Sequence, residues 1–346
     1  MMQQSNHLRR PLFTHCGDFL CEHLHGQLGR SECTIASYRG CMRLLRGYVE
    51  ERSGKCFYTF CFKDADRDFF LDFLGWLERR GCSKATRNQR LACLKSYARY
   101  VMDCDFELTA WGSAVLSIPM ATAEKPMVGW LREEALKGIL ASPDDSRFGC
   151  RDLALMALMY DSGARVSEVL GLRIRDLNIY ASGSSVRLHG KGRKVREVPI
   201  GERTTAILQR YLGRWFEDGH GQPDDWVFFT VIHGVRNRMS IGNAERIVRK
   251  HAQAARLDNP LVPDRVTPHQ FRHSRATHLL RAKVPLPLIG RFLGHANLQT
   301  TNVYAACDVD LLREAIGEME KDTPKMQEEP DWENDSEMLA RLCGLA

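Results

Sequence analysis

Apolar residues in the first hundred positions recur every three or four places, the spacing of one helix face. Phe69, Phe70, Phe73, Leu74 and Leu77 predict a helix over 66–80, and similar stripes predict helices over 13–28, 33–51 and 86–102. Gly29, Gly54 and Gly81 fall where these stripes stop, and Ser31 and Ser83 stand where N-caps belong. The pattern is that of a small unit of four helices.

The periodicity fails in SIPMATAEKPM (117–127), where two prolines sit among small residues. Residues 119–127 therefore read as a linker between 1–118 and 128–316, with 317–346 as a tail. Past the linker, WLREEALKGILAS is helix-like, and RDLALMALMYDSGARVSEVLGLRIRDL reads as a buried helix that breaks at Ser162-Gly163 and restarts after Arg165. Between 174 and 200 the runs RIRDLNIY, SSVRLHG and VREVPI favour strands. Joined by ASG and GKGRK, they predict a three-stranded antiparallel sheet. Helical spacing returns at 202–217, 240–256, 269–283 and 286–293. The expected fold class is mainly α with a small antiparallel β-sheet, in two domains. In the tail, Trp332, Met338, Leu339, Leu342 and Leu345 fit one apolar helix face, either docked on protein or frayed.

A length of 346 residues suits two cores. No apolar run reaches the roughly 18 residues of a spanning helix, and MMQQSNHLRRPLF lacks the apolar stretch of a signal peptide. The chain reads as cytoplasmic, with no membrane partner. Nine of its 12 cysteines lie between Cys16 and Cys104 within helical patterns and without a CxxC pair, which favours buried thiols over disulfides or zinc. Charge is uneven. Residues 1–118 hold 17 Lys+Arg against 13 Asp+Glu, 119–316 hold 29 against 21, and 317–346 hold 3 against 9. A basic body with an acidic tail fits a polyanionic partner for the body. Arg39, Arg43 and Arg46, and again Lys84, Arg87, Lys95 and Arg99, recur at helical spacing, as contacts to such a polyanion or as a solvated face.

The densest polar stretch is HQFRHSRATHLL (269–280). On a helix His269, Arg272 and His273 share one face, while Phe271, Arg275 and His278 point away from it. An arginine cannot ligate a metal, and its fork suits a phosphate or carboxylate, so an arginine between two histidines argues for an anion. A metal site on His269, His273 and His295 is the weaker reading. Arg165, Lys191, His295 and Tyr304 lie in four other polar stretches among apolar surroundings. Two arginines, two histidines, a lysine and a tyrosine can transfer a phosphoryl group without metal. Guanidinium forks hold phosphate oxygens, imidazoles move protons and a phenol attacks. There is no Walker-type loop and no carboxylate cluster for Mg²⁺, in keeping with chemistry that needs no cofactor.

The boxes GARVSEVLGLRIRDL, HGKGRKVREVPI, TPHQFRHSRATHLL and LGHANLQTTNVYA, in that order and with Tyr304 nine residues after His295, resemble the tyrosine recombinase (phage integrase) family, its Xer-like branch in particular. The resemblance covers 126–316, and the N-terminal helices are similar to the family's SAM-like core-binding domain. It implies that Arg165 and Arg272 bind the scissile phosphate and that Lys191 protonates the leaving 5′ oxygen. His269 would take the tyrosine proton, His295 would bond the phosphate, and Tyr304 would attack to give a 3′-phosphotyrosyl bond. Glu168 and His273 would support these groups, and Arg193 and Lys194 would lie near the DNA. It further implies double-stranded DNA with specific sites, a homo- or hetero-tetramer on that DNA, partner recombinases, and a bacterial, nucleoid-associated setting. Arg275 and Gln270 depart from the family's usual residues, and YAACDVDLLREAI after the tyrosine resembles transposon-borne members. Three alternatives stay open: a catalytically idle DNA-binding regulator of the same fold, a type IB topoisomerase-like enzyme, and the metallohydrolase.

Overall fold

The computed structural model describes residues 4–122, 129–180, 183–190 and 194–294, with 337, 340 and 341. The chain divides into two compact units, Met1–Pro126 and Met127–Ala346.

In the first unit, helix α1 (Glu32–Ser53) starts where the Ser31 hydroxyl accepts the Thr34 N–H, and ends at Gly54 with φ 63°. Helix α2 (Arg67–Arg79) is capped by Asp66, whose carboxylate accepts from the Phe69 N–H. Helix α3 (Lys84–Cys104) is capped by Ser83, which accepts from the Thr86 N–H. These side chains satisfy N–H groups that a helix start leaves without partners. Leu45, Phe73, Leu74, Leu94 and Tyr97 form part of one apolar core.

Two features differ from the expected four helices. The first segment is a short helix, Cys16–Asp18, that continues as a π-helix over Phe19–Gln27. A further helix, α4 (Thr109–Leu116), follows α3. The sequence pattern does not reveal it, because TAWGSAVL is too short to establish a period. Trp111 anchors it by donating to the Ala65 carbonyl at 2.7 Å, and Gly112 lies so close to Met102 that a Cβ would meet it at 2.4 Å. The cysteines among the described residues are free thiols.

In the second unit, α5 (Glu133–Ala141) leads to α6 (Arg147–Asp161), buried on most of its circumference by Leu155, Met156, Leu158 and Met159. The chain breaks at Gly163, φ 55°, and restarts as the five-residue α7 (Val166–Leu170). Strands β1 (Leu177–Asn178), β2 (Ser185–His189) and β3 (Val195–Pro199) form the antiparallel sheet in the order β1-β2-β3, with Val186 opposite Val198 and Leu188 opposite Arg196. The first strand is shorter than expected, because Ile174–Asp176 is a 3-10 turn. There Asp176 accepts the Arg173 N–H, which favours a turn over a ladder.

Helix α8 (Glu202–Trp215) follows, then a hairpin that the sequence pattern did not predict: β4 (Phe229–Ile232) and β5 (Val235–Arg238) around His233-Gly234, both with positive φ. Helices α9 (Ile241–Asp258), α10 (Pro268–Arg281) and α11 (Leu286–Leu293) complete the unit. No described helix is long and apolar enough to cross a membrane.

Candidate functional site

The break at Gly163 sets the site. A Cβ there would come within 2.8 Å of Leu293 Cδ2 and 2.9 Å of Phe292 Cε1, so only glycine fits a turn that also needs positive φ. The turn delivers Arg165 to the N-cap position of α7, with its side chain 43% exposed. Glu168, one turn on, accepts the Arg165 backbone N–H at 2.9 Å and its guanidinium at 3.1 Å. Arg196 closes on the same carboxylate from β3, at 3.1 and 2.8 Å. Burial alone would raise the Glu168 carboxyl. The hydrogen bonds and charges of Arg196 and Arg165 hold it below the ordinary glutamate range.

Helix α10 starts at Pro268 with a capping box in which the Gln270 side chain accepts the Thr267 N–H at 2.8 Å. Gln270, unusual against the family boxes, thus has a local reason. Arg272 is only 2% exposed. Its fork donates to the carbonyls of Gly163 at 2.7 Å and Leu293 at 2.8 Å, tying the turn before Arg165 to the end of α11. The His269 and His273 rings lie edge to face, 4.4 Å apart, on the shared side of α10. His269 is exposed, yet loss of part of its hydration, and then the charges of Arg272 and Arg165, lower its pKa.

The opposite side of α10 is structural. Phe271 is fully buried, His278 bonds the Tyr160 hydroxyl at 2.9 Å, and Arg275 pairs with Asp161 at 3.0 Å. Ser274 accepts the Leu131 N–H at 2.8 Å.

Two further boxes are met at their edges. The Gly190 N–H donates to the Lys194 carbonyl at 2.8 Å, pairing the two ends of GKGRK, and Lys194 is exposed. Gly294, in the left-handed conformation after α11, packs on Arg196. Lys191, Arg193, His295, Tyr304 and the apolar tail stripe lie outside the described residues. The alternative metal trio includes His295 and cannot be assembled from the described residues, among which no group of three or more His, Cys, Asp or Glu is arranged to hold a metal.

In the first unit Arg39, Arg43, Arg46, Lys84 and Arg99 are exposed and Lys95 is half-buried. Arg46 bonds Glu50 at 2.9 Å and lies over the Phe57 ring. Arg87 is held by Glu78 at 2.9 Å and is only 12% exposed. Sequence reasoning missed Arg196. It also missed Arg238, whose guanidinium donates to the Ser167 and Leu170 carbonyls and so caps α7 from β5. The exposed Arg246, Arg249 and Lys250 of α9 went unremarked as well, although a count of bases at helical spacing would have found them.

Residues 129–310 match the model of the phage integrase family. The chain belongs to this family. A Sinorhizobium fredii protein described as an integrase/recombinase is 33% identical over 330 residues, 94% of this chain and 96% of that one. The tyrosine recombinase XerD of Pseudomonas putida is 31% identical over 282 residues, 80% of this chain and 87% of its own. Among solved structures, the XerH site-specific recombinase bound to palindromic difH substrate superposes with a TM-score of 0.66 at 20% identity, covering 92% of this chain and 93% of that one. The Tn1549 transposon integrase with transposon right-end DNA gives 0.64 at 18% identity, covering 88% and 98%. These two likenesses are of fold. Membership makes the chain a tyrosine recombinase, an enzyme of site-specific recombination.

Proposed function

We propose that the chain cuts and rejoins double-stranded DNA at specific sites through Tyr304. The phenol oxygen attacks the scissile phosphorus, its proton passes to His269, and the bond to the 5′ oxygen breaks as Lys191 protonates that oxygen. Arg165, Arg272 and His295 bond the phosphate oxygens as charge builds on them. The covalent 3′-phosphotyrosine conserves the energy of the broken phosphodiester, so attack by a partner strand's 5′ hydroxyl rejoins DNA without a cofactor. The observation that carries this reading is the Arg272 fork, which gathers the approaches to Arg165 and to His295 around one buried side chain.

In the same reading, residues 1–118 are the core-binding domain. Arg39, Arg43, Arg46, Lys84, Lys95 and Arg99 face the phosphate backbone, joined near the hairpin by Arg193 and Lys194. Residues 128–316 are the catalytic domain, with Glu168 and His273 supporting the phosphate-binding groups. Four protomers, of one or two kinds, act on two duplexes in the bacterial nucleoid and move a transposable element, with the tail docking between protomers.

Covalent trapping tests the reading. The protein is incubated in chelator with nicked suicide duplexes from its own genetic neighbourhood and run on a denaturing gel. A protein–DNA adduct that Tyr304→Phe abolishes is expected. Sequence-specific retention of the same DNA without any adduct would point to the idle regulator instead.

A further inference from the structure

Arg196 is an arginine at an inward position of a strand. It stands opposite Leu188 and two residues before buried Val198, on the face that packs on the core, and its side chain is 16% exposed. A charge there requires a full set of partners, and every guanidinium nitrogen has one. Two bond the two oxygens of Glu168, and Nε donates to the Phe292 carbonyl at 3.2 Å. Gly294 lies flat against the group, where a Cβ would sit 3.0 Å from it.

Three chain segments therefore meet on one side chain. They are α7, with Arg165 at its cap; β3, which Lys191 precedes by four residues in the sequence; and the end of α11, where Gly294 and then His295 follow Leu293. Glu168 alone beside Arg165 could take both prongs of that arginine in the bidentate geometry carboxylates favour. With Arg196 on both carboxylate oxygens, Arg165 gives Glu168 one guanidinium nitrogen and keeps the rest of its fork toward solvent.

Resting on the function proposed above, we infer that Arg196 is a positioning residue for strand cleavage: by occupying Glu168 and the Phe292 carbonyl, it frees Arg165 for the phosphate and fixes the approach to His295. It touches no DNA in this role. Its effect belongs to the rate of cleavage and not to the affinity for the duplex.

The test compares the full-length protein with Arg196→Gln, Arg196→Lys and the double variant Glu168→Gln/Arg196→Met, measuring duplex retardation and the rate of adduct formation on the nicked substrate. Arg196→Gln is expected to retard DNA like the parent and to form adduct on the order of 10²-fold more slowly, the cost of a misplaced catalytic group. Arg196→Lys should recover only part of the rate, since an ammonium cannot span both oxygens and the carbonyl. The double variant leaves no buried unpaired carboxylate, so it keeps its fold, and its cleavage should remain slow. Cleavage by Arg196→Gln at the parent rate would overturn the inference. So would recovery of that rate in the double variant, because Arg196 would then only neutralise Glu168. If the parent forms no adduct, the functional reading falls first and this inference with it.

Discussion

Arg272 donates to the carbonyl of Gly163, 109 positions upstream in the chain, at 2.7 Å. The bond requires a backbone turn that no side chain fits. Gly163→Ala is expected to cost about 1–2 kcal/mol for the left-handed backbone and about 1–3 kcal/mol for crowding Phe292 and Leu293. Urea denaturation measures the loss, and adduct formation should fall with it as the Arg272 anchor shifts. A variant as stable as the parent would show that the turn relaxes freely.

In the proposed reaction, the surroundings of His269 set the acid side of the pH profile. Lost hydration, then the positive charges of Arg272 and Arg165, lower its pKa from the ordinary 6.5. A proton acceptor works in its neutral form, and that form becomes complete above the depressed value. Cleavage should therefore rise with pH to a midpoint below 6.5 and stay level through neutrality. His269→Asn should flatten this limb and slow cleavage by about 10²–10⁴-fold. A midpoint above 6.5 in the parent would contradict the role.

Asp152 lies buried between Arg151, at 3.0 and 2.7 Å, and His251, at 3.1 Å, while the other ring nitrogen of His251 meets the Ser142 hydroxyl. Burial would raise its carboxyl, but the bonds from His251 and Arg151 hold it below the ordinary 3.8. A depressed carboxylate contributes stability that is whole above the unfolded value and is lost as pH falls through the lower native one. Its share of acid unfolding should thus begin only below about pH 3.8. At neutral pH, Asp152→Asn should cost about 3–5 kcal/mol by removing one member of a buried pair. An unchanged urea midpoint would show the network to be dispensable.

Exposed and engaged arginines of the first unit should behave differently on DNA. Arg39→Ala and Arg43→Ala should each weaken binding on any sequence and reduce the slope of log affinity against log salt by about 0.9. Arg87→Ala, whose guanidinium is committed to Glu78, should leave that slope unchanged. Slopes for Arg39→Ala and Arg43→Ala equal to the parent's would remove α1 from the DNA interface.

The parts of the fold legible in the sequence are those whose cause is local. Ser31, Ser83 and Gly54 act through their own turns, and GKGRK closes its hairpin through neighbours. The hairpin at His233-Gly234 was not legible, because its eight strand residues are mostly solvent-facing and alternate in nothing. Arg196 was half legible. Strand alternation puts it on the face of Val198, a place that asks for a partner, but Glu168, Phe292 and Gly294 come to it only through the tertiary fold. The same holds for Arg272. Its motif marked it as special, while its anchoring to two carbonyls depends on α6 and α11 being in place.

Helix α7 has five residues, far below the dozen or so that give a helix any standing in water. It holds its shape through Arg196 and Arg238, from parts of the chain made after it, and through the turn that Arg272 grips. During synthesis, then, the arginine at its cap emerges from the ribosome long before the scaffold that aims it. In the proposed reading, a nascent chain carries Arg165 unaligned until Phe292 and Leu293 have been added, and a chain truncated before them would keep its folded first unit but lack the scaffold that aims the cut.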